Sequence, residues 1–110
     1  MLRVFISLPM SGRNDEEVKR DIEMVKKVVS DKHWFGDEVE FVDNLLTQTE
    51  VEPFDLLDKP VTKNLLYLGA AITKMASCNA VVFAPGWDRA RGCRVEFEVA
   101  KQYDIPCYFA

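Results

Sequence analysis

Glu96 lies in a stretch suited to carboxylate chemistry. The segment Pro85-Gly86-Trp87-Asp88-Arg89-Ala90-Arg91-Gly92-Cys93-Arg94-Val95-Glu96 follows an apolar run and opens a helical pattern. At helical spacing Glu96, Ala100 and Tyr103 share one face, at i, i+4 and i+7, while Val95 and Val99 face the neighbouring direction. A carboxylate that borders an apolar surface, near a helix N-terminus that favours its anion, suits nucleophilic attack on an electrophilic carbon. The competing reading is a helix-surface acid paired with Arg89, Arg91 or Arg94. Trp87 could stack on a planar base or cover the sheet edge. Asp88 could give a proton to a leaving group or simply stabilise the turn. Glu98 projects to another side and reads as solvated.

A second stretch, Ser7-Leu8-Pro9-Met10-Ser11-Gly12-Arg13-Asn14-Asp15, is a small-residue turn leading into a helix. Backbone N–H groups at such a turn can meet an anion, and Arg13 could offer a fork to a phosphate. It is neither a P-loop nor GxGxxG. Asp15, Glu16 and Glu17 already complement the helix dipole and would repel a phosphate, so a plain βα turn with a solvated Arg13 is the alternative. Met10 and Phe54 could line a pocket or belong to the core, and His33 reads as solvated at a helix exit.

The elements that must position these residues alternate. Leu2–Leu8 reads as a buried strand. Asn14 starts a helix with Glu17 in capping-box spacing, and Val18, Ile22, Val25 and Val29 form its apolar stripe over four to five turns. Val39–Val42 gives a second strand, ending at Asp43-Asn44. Residues 44–60, punctuated by Pro53 and Pro60, read as a long connection with a short helix at Phe54–Leu57. Leu65, Leu68, Ile72 and Met75 mark a second helix. Ala80–Ala84 is the clearest buried strand, Gly92–Tyr103 a third helix, and Ile105–Phe109 a closing strand with Pro106 near its start. This order predicts an α/β fold: a flavodoxin/Rossmann-like three-layer sandwich around a four- to five-stranded parallel sheet. Right-handed crossovers put every strand's C-terminal end on one edge, where ligands bind at the reversal of strand order. Residues 8–15, 43–47 and 84–96 fall there.

With 110 residues the chain suffices for a single domain, 1–110, burying roughly two thirds of its unfolded surface. Such a small core favours self-association. A net charge of −4 without a basic stripe speaks against nucleic-acid polymers as partners. Cys78, Cys93 and Cys107 are odd in number and lack CxxC spacing, and His33 is alone, so no metal site is expected and the cysteines read as reduced thiols in or near the core. The chain opens directly into a strand, with no signal-peptide pattern and no apolar stretch approaching roughly 20 residues. The expectation is a cytoplasmic protein with no membrane partner.

The pattern strand–P-M-S/T-G–helix … A-V-V-x-x-P-G-W-x-x-x-R-G-C/A-x-x-E-x-x-x-A resembles the nucleoside 2-deoxyribosyltransferase superfamily, closest to its branch of small bacterial and phage proteins and related to the 2′-deoxynucleoside 5′-phosphate N-hydrolases. The resemblance spans most of the chain. It is specific in 6–15 and 79–103 and weak in 33–64. The superfamily's signature spacing falls on Gly92, Glu96 and Ala100. It implies that Glu96 attacks the anomeric carbon of a deoxyribose, with Asp88 aiding departure of the base and no cofactor. Gly12-Arg13-Asn14-Asp15 is similar to the N-hydrolases' first turn, which implies a 5′-phosphate held by Arg13 and nearby amides. The substrate-binding set so implied is Ser7, Met10, Ser11, Gly12, Arg13, Trp87 and Gly92. The partner is a small nucleoside or nucleotide, in a homodimer or larger homo-oligomer. Two positions depart from the superfamily pattern: Asn79, where an acid is usual, and Ala90, where Asp or Ser is frequent. They favour one rival, a non-catalytic nucleotide-binding module of the same fold; the acidic, Pro-punctuated stretch 44–60 is the hint for another, a structural or interaction protein.

Overall fold

Each apolar run becomes a strand because its neighbours cannot extend it. The computed structural model describes residues 1–43 and 60–110. Strand β1 (Leu2–Ser7) runs into Pro9, which has no N–H for a ladder. Between Met10 and Arg13 the chain turns, Arg13 N donating to Met10 O at 3.1 Å, with Gly12 at φ +73° supplying the left-handed residue such a turn needs. Helix α1 (Asp15–Lys32) starts at Asn14, whose Oδ1 accepts from Glu17 N at 2.8 Å. Val18, Ile22, Val25 and Val29 are its buried stripe, each contributing about 2 kcal/mol by leaving water. It ends at His33, exposed and left-handed at φ 52°.

Strand β2 (Val39–Asp43), helix α2 (Pro60–Met75), strand β3 (Ala80–Phe83), a one-turn 3₁₀ segment (Trp87–Arg89), helix α3 (Arg91–Gln102) and strand β4 (Cys107–Phe109) follow. The expected short helix at Phe54–Leu57 lies outside the described residues. The closing strand begins at Cys107 instead of Ile105: Ile105 N bonds back to Ala100 O, while Pro106 gives only its carbonyl, to Val81 N.

All four strands are parallel, in the order β2-β1-β3-β4. The fold is the three-layer flavodoxin/Rossmann-like arrangement. Alternation along β1 divides the core. Val4 and Ile6 pack with α1 on one face, while Phe5 packs on the other with Ala71 and Met75 of α2 and Ala100 of α3. From β1 the chain moves outward to β2 by way of α1; from β3 it moves the other way to β4 by way of α3. Strand order therefore reverses between β1 and β3, and their C-terminal ends form the switch point.

Two residues of the expected helical patterns face solvent. Leu65 is 67% exposed, whereas Ala71 and Met75, later in α2, are buried. Tyr103 is 77% exposed because α3 ends at Gln102, so the i+7 spacing from Glu96 no longer describes its direction. Among the described residues no helix is long and apolar enough to cross a membrane.

Candidate functional site at the reversal of strand order

The turns after β1 and β3 touch. Ala84 N donates to Ser7 O at 2.8 Å, extending the β1–β3 ladder past the last strand residue. Gly86 adopts φ +88°, and a Cβ there would lie 3.6 Å from Pro9 Cγ, so the second turn passes close over the first. The 3₁₀ turn then aims α3 back across the sheet. The buried side of α3 carries Cys93, Glu96 and Ala100.

Glu96 meets Ser7 there. The Ser7 hydroxyl donates to Glu96 Oε1 at 2.7 Å; Ser7 is fully buried and Glu96 is 2% exposed. Ser7 is the residue of β1 that follows Phe5 on the same face and ends the strand, which brings its hydroxyl under α3. The helix-surface alternative for Glu96 is overturned: among the described residues it forms no ion pair, and Arg89, Arg91 and Arg94 are exposed. Burial pushes the Glu96 carboxyl up to about 7, against the Ser7 hydrogen bond, which pulls it down. The expected support from the α3 N-terminus is weak, because Glu96 lies more than one turn inside a helix that starts at Arg91, and the dipole's influence fades within the first turn.

Cys93, one turn earlier on the same face, is the third buried polar group of the cluster. Burial raises its thiol to about 11, Ser7 hydrogen bonding lowers it, and the Glu96 charge raises it. Sequence reasoning treated Cys93 only as a core thiol; its i, i+3 spacing from Glu96 was the available signal.

The remaining candidates scatter in a definite way. Ser11 and Gly12 are exposed at the tip of the first turn, and Met10 packs partly buried against the α1 face of the core. Asp88 is exposed on the 3₁₀ turn. Gly92 lies half-buried in the first turn of α3, where an added Cβ would meet Leu68 Cδ1 at an ordinary 4.0 Å; packing among the described residues does not demand glycine. Trp87 has ring contacts with Phe83, Phe97 and Phe109 at centroid distances of 5.2, 4.9 and 5.3 Å. Of its two expected roles, covering the sheet is the one its contacts fulfil. Arg13 is not a solvated cation. Its Nη1 lies 2.6 Å from Asp21 Oδ2 and donates to Pro9 O at 3.1 Å, and its Nε lies 3.7 Å from Glu17 Oε2. Glu17 and Asp21, at i and i+4 on α1, present two carboxylates on one face, and Arg13 just before the cap reaches both.

Asn79 stands at the other end of the sheet. Its Oδ1 accepts from Arg3 N at 2.8 Å and its own N–H donates to Arg3 O at 2.7 Å. The length of β3, about 13 Å for four residues, separates it from the switch point. Its departure from the superfamily pattern therefore changes no group beside Glu96. Among the described residues no group of three His, Cys, Asp or Glu is arranged to hold a metal ion.

Residues 2–109 match a domain family described as a domain of unknown function, DUF4406. The chain belongs to that family. The match spans β1 to β4 and so includes both turns of the switch point, making the Ser7–Glu96 pair part of the domain itself. Among curated proteins, none matches the chain.

Proposed function

We propose that the protein cleaves or transfers the N-glycosidic bond of a (deoxy)nucleoside or nucleoside 5′-monophosphate, with Glu96 as nucleophile. What supports this reading is one observation: a buried carboxylate at the switch point that, among the described residues, has no cation to neutralise it and is held by a single hydroxyl. A structural acid in that position would lower stability without return, since an unpaired buried charge is costly. Functional sites are where such groups are kept.

The hydrogen bond from Ser7 occupies Oε1 and leaves Oε2 to react. A lone pair of Oε2 attacks C1′, the C1′–N bond breaks, and its electron pair stays on the base, which takes up a proton with help from Asp88. Water then attacks C1′ of the glycosyl ester, gives its second proton to solvent, and returns the carboxylate; a second base in place of water makes the reaction a transfer. Two displacements retain configuration, as in glycosidases with a carboxylate nucleophile. The resemblance set out above supplies the sugar and the base.

The test is free-base release from deoxynucleosides and their 5′-monophosphates by wild type and Glu96→Ala. Release that the substitution abolishes supports the reading. Binding without release would leave a nucleotide-binding module of the same fold, and no binding at all would remove the nucleotide reading altogether.

A further inference from the structure

Two of the chain's thiols behave alike. Cys78 and Cys107 are half-buried, and each gives its S–H to a backbone carbonyl, of Lys74 and of Ile105, at 3.4 Å. Cys93 differs. It is buried at the switch point, and the polar group it meets is the Ser7 hydroxyl. That hydroxyl also donates to Glu96 Oε1 at 2.7 Å, and Glu96 stands one turn beyond Cys93 on the buried face of α3. One hydroxyl of β1 therefore serves two groups of one helix.

A serine hydroxyl has a single proton and two lone pairs. The proton lies in the bond to Glu96, so the Cys93 thiol faces a lone pair and can only donate to it. It has the proton to give: burial, and after it the Glu96 charge, push its pKa up to about 11. An S–H given to Ser7 Oγ polarises the O–H bond, and a polarised O–H holds a carboxylate more strongly. Resting on the glycosidase reading, we propose that Cys93 is a positioning residue for Glu96: its thiol donates to Ser7 Oγ and thereby commits the Ser7 proton to Glu96 Oε1.

The surroundings leave this chain of donors undisturbed among the described residues. β1 brings Ser7, β3 is apolar throughout, and α2 brings Leu68 beside Gly92. Asp88, Arg89, Arg91 and Arg94, in the turn and on α3, are exposed. The acidity of Glu96 answers to burial and Ser7, and that of Cys93 to burial, Ser7 and Glu96.

The experiment follows the Glu96 carboxyl by carbon NMR across pH, together with kcat/KM for base release from a 2′-deoxynucleoside, in wild type, Cys93→Ala and Cys93→Ser. Cys93→Ala removes the donor. The Glu96 midpoint should rise by about 0.5 pH, which lowers kcat/KM about threefold on the acid side and lets it recover at high pH. Cys93→Ser restores a donor and should return the midpoint to the wild-type value or below. A side chain that only fills space would move neither. An unmoved midpoint in Cys93→Ala, or a Ser variant that behaves as the Ala variant does, overturns the proposal. The wild type gives a second reading should Cys93→Ala not fold. Its Cys93 S–H infrared band, identified by its loss in Cys93→Ser, should shift as Glu96 ionises, and in Ser7→Ala it should not. A band indifferent to Glu96 ionisation in the wild type, or one that still shifts in Ser7→Ala, overturns the proposal as well. Base release by no variant, wild type included, is failure of the glycosidase reading; the Glu96 titration and the S–H band then judge Cys93 alone.

Discussion

Ser7 and Glu96 stand 89 positions apart in sequence, yet the hydroxyl of one closes on the carboxylate of the other at 2.7 Å, both out of contact with water. The pair joins the end of β1 to the second turn of α3 across the point where strand order reverses. Ser7 is the one side-chain hydrogen-bond partner the Glu96 carboxyl has among the described residues, so it orients the carboxyl and opposes the rise in pKa that burial causes.

Removing that hydroxyl should therefore separate positioning from packing. In Ser7→Ala the carboxylate loses a charge-assisted bond, at a cost of about 1–3 kcal/mol in stability. Because the Ser7 bond pulls the Glu96 pKa down, its loss should move it further above 7. A nucleophile must be ionised, so kcat/KM for base release should rise with pH through about 7 in the wild type and at higher pH in Ser7→Ala. A pH–rate profile with an unshifted midpoint would assign Ser7 a structural role only; a wild-type rate that falls through this range would make Glu96 a general acid.

Stability should carry the same signature with opposite sense. The folded-state pKa of Glu96 is raised from 4.5 to about 7, so the protonated form is the one folding favours. Its contribution is fully present below 4.5 and is lost as pH rises to about 7, by roughly 3 kcal/mol in all. Glu96→Gln stays neutral throughout. Its stability relative to wild type should therefore rise across that window, making it the more stable protein above pH 7, as measured by urea unfolding at both ends. Parallel pH dependences in the two proteins would show that Glu96 is not buried as described. An active-site acid replaced by its amide commonly gains stability in this way.

How much of this was legible depends on the range of each interaction. Helix α1 was, because Asn14, Glu17 and the Val18–Ile22–Val25–Val29 stripe are local signals that agree. Strand β3 was, because four consecutive apolar residues buried on both faces suit the middle of a parallel sheet. The alternation of elements also pointed to the switch point. The partner of Glu96 was not legible: spacing put Glu96 on a helix face, and only strand order together with the path of α3 decides that Ser7 lies beneath it. Tyr103 failed for a local reason, the end of α3 at Gln102. The ion pairs of Arg13 were not legible from the turn alone, because its partners Glu17 and Asp21 sit further along, on α1.

Trp87 offers a sharper choice between core and ligand. Its ring meets Phe83, Phe97 and Phe109, and Phe83 and Phe109 are themselves stacked at 5.6 Å. Trp87→Ala should cost about 3 kcal/mol by opening a cavity in that cluster, read as a lowered urea midpoint. Trp87→Phe should recover most of it. An Ala variant as stable as wild type but weakened in nucleoside affinity would return the ring to base stacking.

Asn79 tests whether the far edge of the sheet matters to chemistry. Its side chain accepts the Arg3 N–H just before β3 begins, about 13 Å of strand away from the turn that leads to Glu96. Asn79→Ala removes the acceptor and should cost about 1 kcal/mol. Asn79→Asp keeps an oxygen in place, and stability should be nearly unchanged. Neither substitution should alter kcat for base release, because no atom of residue 79 reaches the switch point along a parallel strand that ends there. A substantial rise in kcat on introducing the acid would mean that position 79 does reach the reacting groups, and the assignment of the site to the C-terminal edge of the sheet would then fail.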